Sequence, residues 1–178
     1  MRWLWKVLFG LALTALFLLP FFSWIGAEPV PYRDSGGIFS IDTPEGWKAD
    51  DSGYMGKGVV MKGPAGPAGI EPVIHLLHEG AGIVTLDVLW HTHLGRLRYD
   101  LERVKFQSLK DFEEESPPFS QARYTYGDGD VNYKAITRAL MHNERFFLLT
   151  AASPAGEFEG LLPLFTATFD SMRPGKAE

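Results

Sequence analysis

SQARYTYGDGDVNYKAITRALMHNERFFLLTAA, residues 120–152, decides the fold. Ser120 to Tyr126 and Val131 to Met141 read as two β runs. Between them stands Gly127-Asp128-Gly129-Asp130, a strong tight-hairpin signal. His142-Asn143-Glu144-Arg145 is a second turn, and it leads into Phe146 to Ala152. That third run is apolar at consecutive positions, so both of its faces need cover, as in a central strand between two layers. Three strands joined by short turns predict an antiparallel meander.

Working outward, Ser153-Pro154-Ala155-Gly156 ends the meander. A closing helix follows, with Phe158, Leu161, Leu162, Phe165, Phe169 and Met172 on one stripe. Pro163 lies inside that pattern and predicts a kink or the start of the helix's second part. Upstream, Thr85 can cap a long helix that runs to about Lys105. Leu86, Trp90, His93, Leu97, Leu101 and Val104 recur there at spacings of three and four. Asp111 to Ser116 and Pro117-Pro118 read as an acidic, breaker-rich connection. Before the helix, Gly37 to Asp42, Gly58 to Lys62 and Glu71 to His78 read as strands. Trp47 follows the turn Thr43-Pro44-Glu45-Gly46 as a large candidate for burial. Gly63 to Gly69 repeats glycine every third residue, but two triplets make a loop, not a triple helix. Two amphipathic helices and a two-faced central strand give an α/β chain with helical cover on both sides of a mainly antiparallel sheet.

The first 27 residues have a different character. Arg2 and Lys6 precede an apolar run from Val7 to Phe22, and Gly26 and Ala27 close it. This is the layout of a secretory signal. Two readings stand: cleavage after Ala27, or a retained anchor over residues 7–27, just long enough for a span of about 20 residues. Either one exports the rest to a periplasmic or extracytoplasmic location. Residues 28–36 read as a linker, residues 37–173 as one domain and residues 174–178 as a tail.

The 178-residue chain carries 17 Lys+Arg against 22 Asp+Glu, a net charge of -5. Two of those bases lie in the leader, so the exported part is more acidic still. That balance argues against nucleic acid as a partner. It limits membrane contact to the N-terminal segment, if uncleaved. There are no cysteines, so an exported domain must be held by its core alone, without disulfides, thiolate chemistry or Cys-ligated zinc.

Phe39-Ser40-Ile41-Asp42-Thr43-Pro44-Glu45-Gly46-Trp47 resembles the F-x-I-x-x-P-x-G-W opening of the PsbP-like superfamily, which includes DcrB-like envelope proteins. Phe147 to Ala152, followed by a helix through Phe158, Phe165 and Phe169 to Ser171-Met172, is similar to its ending. Such families often end Ser-Phe, and Met172 departs from that. The resemblance covers Gly37 to Arg173 by element order. It implies an α/β/α sandwich and an accessory or binding role, not an enzyme.

The residues themselves offer few chemical sites. Four of the five histidines, His75, His78, His91 and His93, cluster in sequence and are the candidate metal ligands. Residues two apart on a helix diverge, so His91 and His93 cannot share a metal there. Residues three apart on a strand face opposite ways, which separates His75 from His78. Only tertiary contact between the two pairs would make a site. Asp128, Asp130 and Asn132 match the start of a calcium loop, but Tyr133 and Ala139 stand where its glycine and glutamate belong. Glu113, Glu114 and Glu115 are adjacent and suit a solvated turn. Trp47, Tyr54, Trp90, Tyr124, Tyr126 and Tyr133 can line a pocket or pack between sheet and helices. No catalytic constellation is legible and no cofactor is implied. The expectation is a non-catalytic envelope protein with a protein partner or a small ligand. The alternative is a metal- or ligand-binding protein that uses the His75–His93 region.

Overall fold

Turn chemistry and alternation build the large sheet from its middle outward. The computed structural model describes residues 30–52 and 57–175. The leader (residues 1–27) and Tyr54 lie outside the described residues. The chain runs β1 (Val30–Arg33), β2 (Phe39–Thr43), β3 (Lys48–Asp50), β4 (Gly58–Lys62), β5 (Val73–Gly80), α1 (Leu86–Asp100) and β6 (Glu102–Phe112). It continues through β7 (Phe119–Asp128), β8 (Val131–His142), β9 (Arg145–Pro154), α2 (Phe158–Ser171) and β10 (Arg173–Pro174).

The predicted meander is β7–β8–β9, and all of its pairs are antiparallel. Asp128 pairs with Val131, so the Asp-Gly stretch turns a tight hairpin, with Gly129 at φ 55°. His142 pairs with Arg145 across Asn143 and Glu144, both at positive φ. The seven-stranded sheet has the order β3-β4-β5-β9-β8-β7-β6. β9 is therefore its central strand. Phe147, Leu149 and Ala151 join the core on one face, and Phe146 and Ala152 join the core on the other.

α2 covers the first face. Phe158, Phe165 and Phe169 pack there with Ile74, Leu76, Ile136 and Phe147. Each fully buried side chain of this size contributes roughly 1.5–3 kcal/mol. Pro163 is accommodated within one continuous helix, on its exposed side. A three-stranded sheet, β1-β2-β10, adds Phe39 and Ile41 to the same core. Trp47 is half-buried against it and meets Phe165 edge-on at 6.2 Å. α1 covers the opposite face with Trp90 and Leu94, completing the α/β/α sandwich.

Four boundaries differ from expectation. α1 stops at Asp100, not Lys105, where the Leu101 N–H bonds the Leu97 carbonyl. Leu101 and Val104 satisfy a helical spacing, but Val104, Phe106 and Ser108 also alternate with exposed neighbours. The strand pattern wins because β6 pairs with β7 along its length, after a register shift between Glu102 and Lys105. β6 also takes in Asp111 and Phe112, which shortens the acidic connection. Within the expected linker, Val30–Arg33 is a strand paired to β2. At the expected tail, Pro174 pairs with Phe39.

Candidate functional site

The two faces of the large sheet are packed with side chains of different size. Toward α2, neighbouring strands present Ile136, Leu140, Phe147 and Leu149. Toward α1 they present Ala122, Ala135, Ala139 and Ala152. Interiors fill to near crystal density unless side chains are too small to reach. α1 makes its main sheet contacts with β6 and β8. Beneath it, on the side of β5 and β9, space remains.

That space is two adjoining cavities of about 420 Å³ and 260 Å³. Leu77 of β5, Leu148 of β9 and His93 of α1 border both. The larger lies against Leu89, Thr92 and Arg96 of α1, Phe146 of β9, and Lys57 and Glu79. The smaller is walled by Val73, His75, Leu97, Leu101, Tyr124 and Tyr126, with Thr150 and Ala152. The larger cavity falls within the range typical of small-molecule sites, and apolar walls with a few polar groups are their usual make-up.

The polar groups are specific. His93 turns inward from α1 and stacks on Trp90 at 5.9 Å. Its Nε2 is buried without a hydrogen-bond partner. Burial, and secondarily the Arg96 charge, lowers its pKa to about 4, so it is neutral at pH 7. Across the cavity His75 is also shifted down, first by burial and then by Lys62. Tyr124 meets Thr137 at 3.2 Å, and Thr137 meets Thr150 at 3.0 Å, a chain of hydroxyls beneath the helix. Burial raises Tyr126 to about 12, helped by Tyr124, Tyr133 and Asp128. These groups can orient a bound molecule by hydrogen bonding while the walls offer it apolar contact.

The four histidines part company. His75 and His93 face one cavity. His78 is buried beside Phe39 and Phe147, at 5.8 and 6.1 Å, and also borders the larger cavity. His91 is exposed and pairs with Asp87 at 3.0 Å. Among the described residues, no group of three or more His, Cys, Asp or Glu side chains converges as a metal site would. The hydroxyl chain escaped the sequence reading. Its signal was Tyr124, Thr137 and Thr150 on three successive strands of the meander.

The chain is a three-layer α/β/α sandwich, and its fold is PsbP-like. The solution structure of cyanobacterial PsbP (CyanoP) from Synechocystis sp. PCC 6803 superposes with a TM-score of 0.64 at 13% identity, over 85% of this chain and 95% of that one. LpqN, involved in cell envelope biogenesis of Mycobacterium tuberculosis, matches at 0.62 and 14%, over 84% and 91%. PA94 from Pseudomonas aeruginosa, of unknown function, matches at 0.59 and 12%, over 85% and 100%. No family model matches the sequence, and no curated protein is significantly similar to it.

Proposed function

We propose that this chain is an exported, non-catalytic accessory protein of the cell envelope that holds a small apolar ligand between α1 and the sheet. The observation that carries the reading is the pair of adjoining cavities between α1 and the β5–β9 side of the sheet. The N-terminal signal pattern supports export. The shared fold of LpqN, itself involved in envelope biogenesis, supports the setting. Nile red, a neutral apolar dye, tests the ligand claim by fluorescence titration of the purified protein. One saturable site per molecule is expected, and Leu148→Trp should abolish it by filling the space common to both cavities. Absence of saturable binding to the wild-type protein would sink the proposal.

The metal reading retains one supporting observation: His75 and His93 face the same cavity. Two imidazoles need further donors to hold zinc. Zinc titration by calorimetry separates the readings. Stoichiometric binding that His75→Ala or His93→Ala removes would favour the metal.

A further inference from the structure

The larger cavity is apolar in its walls and cationic at its border. Lys57 and Arg96 both line it. Neither belongs to an ion pair among the described residues. Glu79 lines it too, but lies in no ion pair with them, and the three together carry a net positive charge. This runs against the chain as a whole, whose net charge is -5. The smaller cavity has no Lys, Arg, Asp or Glu in its lining.

The space is also elongated. The larger cavity touches α1 from Leu89 to Arg96, and the smaller touches it at His93 and Leu97 and then at Leu101. At the rise of an α-helix that stretch is about 18 Å long. His93, where the two cavities meet, puts no charge into the passage at pH 7. Lys57 and Arg96 border only the larger cavity, so the joined space carries its positive charge in one of its two halves and fits a molecule with one chain and one negative end. Two bulky chains or a flat polycycle would not use the polarity or the shape.

We infer that the joined cavities bind a single-chain amphiphile with an anionic head. The head sits at Lys57 and Arg96, and the chain runs beneath α1 past His93 toward Tyr124. The inference rests on the apolar-ligand reading above and adds the head-group chemistry to it. A carboxylate or a phosphate monoester would each supply the charge-assisted hydrogen bonds that Arg and Lys donate.

The test uses dodecanoate, dodecyl phosphate and dodecanol below their aggregation limits, titrated calorimetrically into the purified protein. At least one anion should bind one per protein, about tenfold or more tighter than dodecanol. The tighter of the two assigns the head as carboxylate or phosphate. In the double variant Lys57→Gln/Arg96→Gln, anion binding should fall to the dodecanol level, a loss that exceeds any change for dodecanol. Both substitutions are on exposed side chains, so they test the head without disturbing the core. Leu148→Trp should weaken all three ligands. Equal affinity for all three, unaltered in the double variant, would overturn the anionic head and leave the cavity reading standing. Nile red binding with no amphiphile binding would overturn the inference alone. If neither the dye nor any amphiphile binds, both fall.

Discussion

His93 is the residue where the cavity and the stability of the domain meet. Its imidazole is held neutral, with a pKa near 4, by burial first and Arg96 second. An unfolded histidine titrates near 6.5. Below that pH the unfolded chain takes up a proton that the folded chain refuses, so stability falls as pH falls. The contribution is fully present above about pH 6.5 and is lost progressively down to about pH 4. From pH 7 to pH 5 the loss from this residue alone is about 2 kcal/mol. His75, shifted in the same direction, adds to it. Urea unfolding at pH 7 and pH 5 measures the difference. His93→Leu should remove its share of the loss, and an unchanged slope with pH in that variant would refute the assignment. By contrast, Arg138 is buried yet satisfied. It bonds Asp170 and stacks on Phe119 at 4.2 Å, which ties α2 to the sheet.

At the scale of elements, the β8–β9 hairpin carries an uncorrected strain. Asn143 and Glu144 sit at φ 49° and 56°. Asparagine tolerates the left-handed region and glutamate does not, whereas glycine occupies it freely. The pair matches the two-residue turn for which Asn-Gly is the favoured sequence. Glu144→Gly should therefore stabilise the domain by about 1 kcal/mol, raising Tm by roughly 2–4 °C. The Ala81 N–H that bonds the Glu144 carbonyl loses nothing in the exchange. A lower Tm on thermal melting would refute the argument. The same hairpin was readable from sequence because alternation and turn residues act locally. So were β9 as the central strand and the inward stripe of α1. β1, β3 and β10 were not, because their side chains are largely exposed and backbone pairing alone defines them. β6 was hidden by the coincidence that Leu101 and Val104 fit both periods. For the site, the sequence could nominate His75 and His93 but not the space between them. A void depends on volumes contributed by three strands and a helix, and residues such as Val73, Tyr124 and Thr150 carry no signal until those strands are aligned.

For the whole molecule, the paired β1 alters what the leader implies. The first described residue, Val30, already pairs with Thr43. Only Glu28 and Pro29 separate it from Ala27. Ala27 and Val30 are three residue steps apart, at most about 11 Å, far less than the longer linker anticipated from composition. A retained anchor would then hold the small sheet near the bilayer surface, at a distance comparable to the screening length of about 8 Å at physiological salt. The domain is acidic and the leader supplies no counter-charge on that side, so anionic headgroups would repel it. These considerations favour a released domain over a tethered one. The expected outcome is an extracytoplasmic protein in the soluble fraction whose N-terminal sequence begins at Glu28. A membrane-bound species that retains Arg2 and Lys6 would overturn that expectation.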